Sequence, residues 1–342
     1  MNDLDPWFLE NLVCPVGGGS LRWEPETSRL HSLSGLVYPV VDGVPIMLPP
    51  EVEPTLSGMN ASRHYYPAEA PWYLSSVLLS VEEKEGIRRL IEHPGAVDPV
   101  AAYLVAATNG IGYAHLVGKL KHYPIPEIRL PQEEGKTLLD LGCSWGRWCI
   151  AAARKGYSVI GMDPSLGAVM AARRVARQMN VECRFFVGDA RHLPLRDSCV
   201  DPTFSYSVLQ HLSPEDAGQS IHHLGRVLRP GGYCLVQMPT RWGLRCLINQ
   251  ARRRFRKAEG FEVRYWSLSD LRTIFENSVG ISTLSVDCFF GIGWQPSDLP
   301  MMPWRLKLVI YASESLRKVS GIIPALTTVA DSVYVQALKP VR

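Results

Sequence analysis

The chain has 342 residues, 46% hydrophobic and 20% charged, with 36 Lys and Arg against 33 Asp and Glu for a net charge of +3. That is apolar enough for a packed core, which excludes a disordered chain, and too mildly basic to announce a nucleic-acid binder by charge alone. No apolar run reaches the ~18–20 residues that span a bilayer. The acidic start Met-Asn-Asp-Leu-Asp reads as neither a secretory nor an organellar leader, and the eight cysteines are scattered without a pairing pattern. The expected setting is a reduced cytoplasm.

Residues 1–50 are rich in Gly, Pro and Val, with a strand-like run at 36–41 before the turn Asp42-Gly43. Residues 51–130 open on a Pro-containing linker and carry helical periodicity at 73–92 and 99–122. From Lys136 onward apolar strands alternate with amphipathic helices. Strands are predicted at 137–141, 158–162, 183–187, 200–206 and 233–238, and helices at 147–155, 165–179 and 214–228. The sequence Arg229-Pro230-Gly231-Gly232 stops the last helix, and strands at 281–287 and 332–338 flank a helix at 304–319. This alternation predicts an α/β fold with a parallel, doubly wound, Rossmann-like sheet.

The run Leu139-Asp140-Leu141-Gly142-Cys143-Ser144-Trp145-Gly146 lies at the carboxyl end of the first strand of that sheet, where ligands bind. Glycines at 142 and 146 let the backbone approach a ligand, though the run is not the G-x-G-x-x-G of dinucleotide binding. Asp163 closes the second strand, 21 residues after Gly142, where a carboxylate can accept both hydroxyls of a ribose. Asp189 closes the third, where a carboxylate can accept from an adenine amine. One such acid is an ordinary helix cap. Two at matching strand ends beside a glycine turn point to a nucleoside.

With these motifs, and with Phe204-Ser205-Tyr206-Ser207-Val208-Leu209-Gln210-His211-Leu212 and Arg226-Val227-Leu228-Arg229-Pro230-Gly231-Gly232 in order behind them, residues 136–240 resemble the class I S-adenosylmethionine-dependent methyltransferases, with a type 11-like core. The resemblance implies a seven-stranded sheet ending in an antiparallel pair, and a helical lid before the core. It implies S-adenosylmethionine as cofactor and S-adenosylhomocysteine as product. Carried over by position, Asp140 reaches towards the amino group, and Gly142, the Cys143 backbone and Gly146 lie against the methionine moiety and ribose. Asp163 and Pro164 take the ribose, Asp189 and the Ala190 amide the adenine, and Ser205, Tyr206 and Leu209 border the sulfonium. Ser144 departs from the glycine usual in that family, and Trp145 is expected to cover part of the pocket.

Residues 7–50 resemble a second family, the small zinc-ribbon-like activator subunit of tRNA and other methyltransferases. The matching pieces are Leu12-Val13-Cys14-Pro15 and residues 35–48. Zinc-bearing members use two C-x-x-C pairs. Here those positions read Cys14-Pro15-Val16-Gly17 and His31-Ser32-Leu33-Ser34, so only Cys14 and His31 can ligate and no metal is expected. A module this small has too little core of its own, and docking onto the catalytic domain is expected to supply the rest. The organisation is therefore a degenerate activator-like module at 1–50, a linker and helical lid at 51–130, and a methyltransferase domain at 131–342 with a basic insertion at 241–266.

Methyl transfer from a sulfonium is an in-line displacement, and an oxygen acceptor must also lose a proton. His211, just past the fourth strand, is the candidate base, with Gln210 beside it. Tyr65, Tyr66, Tyr113 and His115 of the lid stretch, and Arg264, Tyr265 and Trp266 after the fifth strand, are candidates for lining the acceptor pocket. The run holding Arg245, Arg252, Arg253, Arg254, Arg256 and Lys257 is either a solvated helix face or a phosphate holder. It is read as lacking the aromatic interleaving of single-strand RNA binders. The expected activity is methyl transfer, as O-methylation, to a small molecule or glycan-type acceptor. The alternative is an RNA methyltransferase with a fused activator. The acids at 163 and 189 argue against a non-catalytic scaffold.

Overall fold

The computed structural model describes residues 4–50, 97–108, 113, 116, 120–291 and 293–341. The helix expected at 73–92, and Tyr65, Tyr66 and His115, lie outside the described residues.

The N-terminal module starts with α1 (Pro6–Asn11), where Pro6 opens the helix and the Asp5 carboxylate accepts from the Trp7 amide at 2.8 Å. Four strands follow: β1 (Leu21–Glu24), β2 (Arg29–Ser32), β3 (Val37–Val41) and β4 (Val44–Met47). The β3–β4 turn places Asp42 and Gly43 at φ 49° and 77°, the left-handed pair that matches the twist of a two-residue hairpin. Every residue of β4 is buried, instead of alternate ones. That is the signature of a strand covered on both faces.

The second half supplies α2 (Pro99–Thr108), β5 (Thr137–Leu141), α3 (Arg147–Ala153), β6 (Ser158–Asp163), α4 (Leu166–Gln178), β7 (Cys183–Gly188), β8 (Val200–Ser205), α5 (Pro214–Val227) and β9 (Leu228–Pro239). Then come α6 (Leu244–Arg252), α7 (Leu268–Ser278), β10 (Ser282–Cys288), α8 (Trp304–Ser320) and β11 (Ser332–Leu338). The strand order is β1-β2-β3-β4-β7-β6-β5-β8-β9-β11-β10. Strands β4 to β9 run parallel, whereas β11 is antiparallel to both neighbours.

Three sequence expectations need correction. The seven strands from β5 to β11 do not stand alone, because β4 pairs with β7 (Ile46 with Val187, Met47 with Gly188) and carries the module's strands into one eleven-stranded sheet. The helix expected at 99–122 is assigned as Pro99–Thr108, and residues 120–122 lie outside helix. Arg229-Pro230-Gly231-Gly232 does not separate helix from strand. It sits inside β9 as a bulge, where the pairing with β8 slips between Val200 and Pro202. Among the described residues, no helix is long and apolar enough to cross a membrane.

Docking of the module is both polar and apolar. The Val13 amide donates to the Pro194 carbonyl at 3.0 Å, the Arg196 amide to the Asn11 carbonyl at 2.9 Å, and Arg184 pairs with Asp5 at 2.9 Å. Phe8 meets Phe186 edge to face with ring centroids 6.1 Å apart. Its side chain joins a single cluster with Leu12, Tyr38 and Met47 of the module and Leu139, Ile160 and Met162 of the central strands. One consequence is testable by calorimetry. Phe8→Ala, which empties a buried site at this junction, should cost about 3–5 kcal/mol. The whole chain should still melt in one transition, and an early separate melt of the module would contradict a shared core.

Candidate active site

At the carboxyl end of β5 the chain turns sharply enough that Gly142 has φ 80°, and its amide donates to the Met162 carbonyl at 2.7 Å. A Cβ at 142 would lie 2.2 Å from Val208 Cγ2, so only glycine fits. The next residues are set by Asp163. Its Oδ2 accepts from the Ser144 amide and its Oδ1 from the Ser165 amide, both at 2.9 Å. Burial pushes the Asp163 carboxyl up to about 6, and the two amides oppose that rise. Ser144 itself is held at φ 48°, with its hydroxyl buried and unpartnered among the described residues. The departure from glycine at this position is therefore accommodated with some backbone strain.

A small cavity opens beside this turn, lined by Gly142, Met162, Pro164, Asp189, Ala190, Val208 and Leu212. It unites four residues predicted from the ends of three strands: Gly142, Pro164, Asp189 and Ala190. Cys143, Ser205 and Leu209 are buried behind it, and the Ser205 hydroxyl donates to the Leu141 carbonyl at 2.9 Å. Gly146 lies against Ala172 of α4, where close packing replaces the ligand approach expected of it. Asp189 reaches the cavity with its carboxylate already engaged. The Arg191 side chain donates to Oδ2 at 2.6 Å through Nη2 and to Oδ1 at 2.9 Å through Nε, and the Arg191 amide adds 2.8 Å to Oδ1. Asp140 points beneath α3 instead, where Cys149 Sγ donates to its Oδ2 at 3.1 Å. Its Oδ1 has no partner among the described residues, and burial raises its carboxyl to about 7. Trp145 does not cover the pocket. It is 0% exposed and packs at 5.7 Å from the Tyr123 ring, in the cluster behind α3.

The acceptor-side candidates divide differently from expectation. His211 Nδ1 donates to the Phe261 carbonyl at 2.7 Å, Nε2 lies 3.1 Å from Gln210 Nε2, and the ring stacks on Phe261 at 3.9 Å. With burial lowering the imidazole to about 4, His211 is neutral, and its one lone pair, on Nε2, is already taken up by the Gln210 amide. Arg264 holds its neighbours through three backbone carbonyls, those of His211, Gly260 and Glu262. Tyr265 lies under the Arg253 guanidinium, and the Trp266 backbone pairs with the end of β9. This set ties the insertion to β8 and β9; the Gln210 side chain donates to Ser207 Oγ at 2.7 Å. The Tyr206 ring lies 4.7 Å from Trp148 and its hydroxyl donates to Asp287 Oδ2 at 3.1 Å. Tyr113 is buried edge-on to Trp294, with a hydroxyl that has no described partner.

The model of the methyltransferase domain family matches residues 138–232. Malonyl-[acyl-carrier protein] O-methyltransferase of Yersinia pestis is 36% identical over 104 residues, 30% of this chain and 37% of that protein. This chain thus spans well under half of that relative. A UPF0434 protein of Chelativorans sp. is 54% identical over 52 residues, 15% of this chain and 73% of that protein. Through its N-terminal module, the chain belongs to the UPF0434 family. Its residues 138–232 are a methyltransferase domain. Among solved structures, the complex of the Haloferax volcanii Trm112 methyltransferase activator with a methyltransferase aligns at TM-score 0.44 and 18% identity, covering 70% of this chain and 93% of that one.

Within the methyltransferase domain, sequence reasoning missed Arg147. It opens α3 directly after Gly146 and is 7% exposed, with Nε and Nη2 unpartnered among the described residues. Its signal was a cation at the first position of an otherwise apolar helix. The arginine run also differs from expectation. It includes α6 and the turn after it, and exposed aromatics do accompany it: Trp242 is 59% and Phe255 67% exposed. In the UPF0434 module, Cys14 Sγ lies 3.2 Å from the Tyr38 hydroxyl and His31 Nε2 3.2 Å from Glu24. Among the described residues, no group of three or more His, Cys, Asp or Glu is placed to hold a metal ion.

Two outcomes follow from this geometry. If Asp163 accepts ribose hydroxyls, the bound form needs it ionised, and protonation below its value of about 6 weakens binding. S-adenosylhomocysteine affinity, measured by calorimetry, should then fall about tenfold from pH 7 to pH 5, a drop absent in Asp163→Asn. His211→Ala should keep methyl transfer within about tenfold of the parent, where loss of a general base would cost ~100-fold or more. The same substitution should speed proteolysis near Phe261.

Proposed function

We propose that the chain methylates an oxygen of a small-molecule or glycan-type acceptor, using the cavity beside Gly142 for the nucleoside of S-adenosylmethionine. The observation that supports this reading is the convergence of Gly142, Pro164, Asp189 and Ala190 on one cavity at the carboxyl ends of β5, β6 and β7. The fit is chemical as well as spatial. Asp163 retains lone pairs for a diol beyond the two amides it already accepts from, and Gly142 leaves backbone open where a side chain would block the turn. The sulfonium supplies an activated methyl group. The residues around it then have to align the acceptor and keep water out. Val208 and Leu212 give the cavity an apolar wall suited to that exclusion. Asp189 would share its crowded carboxylate with the adenine amine, while the Ala190 amide would donate to a ring nitrogen of adenine.

A second reading, RNA as acceptor, is favoured by one specific feature. Trp242 and Phe255 stand exposed among exposed arginines 245, 252 and 254 on the insertion, which offers stacking faces beside phosphate-binding cations. A labelling experiment separates the two. Protein is incubated with methyl-labelled S-adenosylmethionine and a cell extract, with Asp163→Ala as control, and label is counted in small-molecule, glycan, RNA and protein fractions. Label in the small-molecule or glycan fraction is the expected result. Label confined to RNA would replace the leading reading, and none above the control would remove both.

A further inference from the structure

We propose that α8 and the turn after it form a docking surface for an anionic phospholipid membrane, on which the chain lies without crossing it. This surface is independent of the methyl-transfer reading above.

Helix α8 is fixed by one side and open on the other. Ile310, Ser313 and Ser320 are buried, and Ser313 Oγ accepts from the Phe289 amide at 3.0 Å and donates to the Phe289 carbonyl at 3.2 Å. The opposite side carries Trp304, Leu308, Tyr311 and Val319, whose spacing keeps them on one stripe. All four are exposed, Trp304 at 67%. The amides of Ile322 and Ile323 return to the Val319 carbonyl at 2.9 and 2.8 Å and carry the stripe past the helix end to Ile322, which is 83% exposed. From Val319 to Ala330 no residue is charged. Cations border the stripe, Arg305 and Lys307 at its start and Lys318 at its end. The single acid of α8, Glu314, is tied to Arg317, whose Nε donates to Oε2 at 2.8 Å. Exposed apolar side chains scattered singly are ordinary on a protein surface, whereas an aligned row of them marks an interaction site.

A second helix repeats the combination. On α6 and the turn after it, Leu244, Ile248 and Phe255 are exposed, with Arg245, Arg252 and Arg254 exposed beside them and no acid from 241 to 258. The two elements adjoin. Gly243, directly before α6, packs on Ala330 and Asp331 at the end of the segment that follows α8, and the Cys246 amide donates to Asp331 Oδ1 at 3.0 Å. That contact lies where Ser332 of β11 pairs with Pro239 of β9, at the carboxyl edge of the parallel strands, the edge on which the cavity beside Gly142 opens. Aliphatic and aromatic side chains bordered by Lys and Arg suit the boundary between acyl chains and anionic headgroups, where an in-plane helix buries its apolar face and its cations meet phosphates. A second copy of the chain fits less well, because a two-fold contact sets the same cations against each other. A nucleic acid offers phosphates to the cations but no partner to Leu308 and Ile322.

The whole chain is tested by flotation with two kinds of vesicle, phosphatidylcholine alone and phosphatidylcholine mixed with phosphatidylglycerol. Wild type is compared with two double variants, Leu308→Ser with Ile322→Ser and Lys307→Glu with Lys318→Glu. Wild type should bind the mixed vesicles about tenfold or more tighter than the neutral ones, and high salt should erase the difference. Each double variant should weaken that binding about tenfold or more while melting as wild type does, because the altered side chains lie outside the core. No binding to the mixed vesicles, equal binding to both kinds, or binding that the variants leave unchanged overturns the proposal. If the serine variant melts lower, the glutamate variant decides, and its retention of mixed-vesicle binding is again fatal. A wild type that sediments as a dimer and ignores vesicles, with the serine variant a monomer, gives the face to a second copy. A wild type that ignores vesicles but binds oligouridylate through Leu308 and Ile322 gives it to RNA, and either result removes the lipid assignment.

Discussion

The pairing of β5 with β6 on one side and β8 on the other is the constraint on which the candidate site depends. Strand order runs outward in opposite senses from β5, so the connections that leave β5 and β8 diverge and open a crevice between them. The turn after β5 is pinned there by amides at 142 and 143 that both donate to the Met162 carbonyl of β6. Val208, from the turn after β8, closes the other side tightly enough to forbid a Cβ at 142. The shape of the crevice is thus a property of three neighbouring strands. Local glycine flexibility only permits it.

Charge placement separates structural from functional ionisable groups. Asp287 is surrounded by the Arg129 guanidinium, the Tyr206 hydroxyl and the Ser332 hydroxyl, and so holds the ends of β10 and β11 against the extended segment before β5. That group is saturated and has nothing left to offer a ligand. Asp163 accepts only from two backbone amides among the described residues and keeps hydrogen-bonding capacity in reserve. A folded chain leaves such capacity unused only at a price in stability, which makes it informative about ligands. By the same criterion His211, with both nitrogens committed, belongs with the structural set.

The order of strands and helices from β5 to β11 was legible because each element has its own period and its own stop signal. Ser165, Ser213 and Ser267 cap α4, α5 and α7 through their side chains, and Pro214 opens α5. Gly142, Asp163 and Asp189 were legible because each stands at a strand end, a position that sequence spacing fixes. The orientation of side chains was not. Whether Trp145 faces the cavity or the core depends on the packing of α2 and α4 behind it, and the state of His211 depends on Phe261, fifty residues away.

The edge pairing of β4 explains how so small a module keeps its fold. A chain of this size lacks enough core to fold alone. Here Phe8, Leu12, Tyr38 and Met47 join the core on one face of the shared sheet, while Val44, Ile46 and Leu48 join the core on the other. The same pairing buries the edge of β7, which would otherwise expose a row of free amides and carbonyls. Its position also bears on the cofactor side. Met47 pairs with Gly188 immediately before Asp189, and Val13 and Asn11 bond to Pro194 and Arg196 a few residues after it. The module therefore grips both ends of the segment that carries Asp189, Ala190 and Arg191. It needs no catalytic group of its own to fix the wall of the cavity where adenine is proposed to lie.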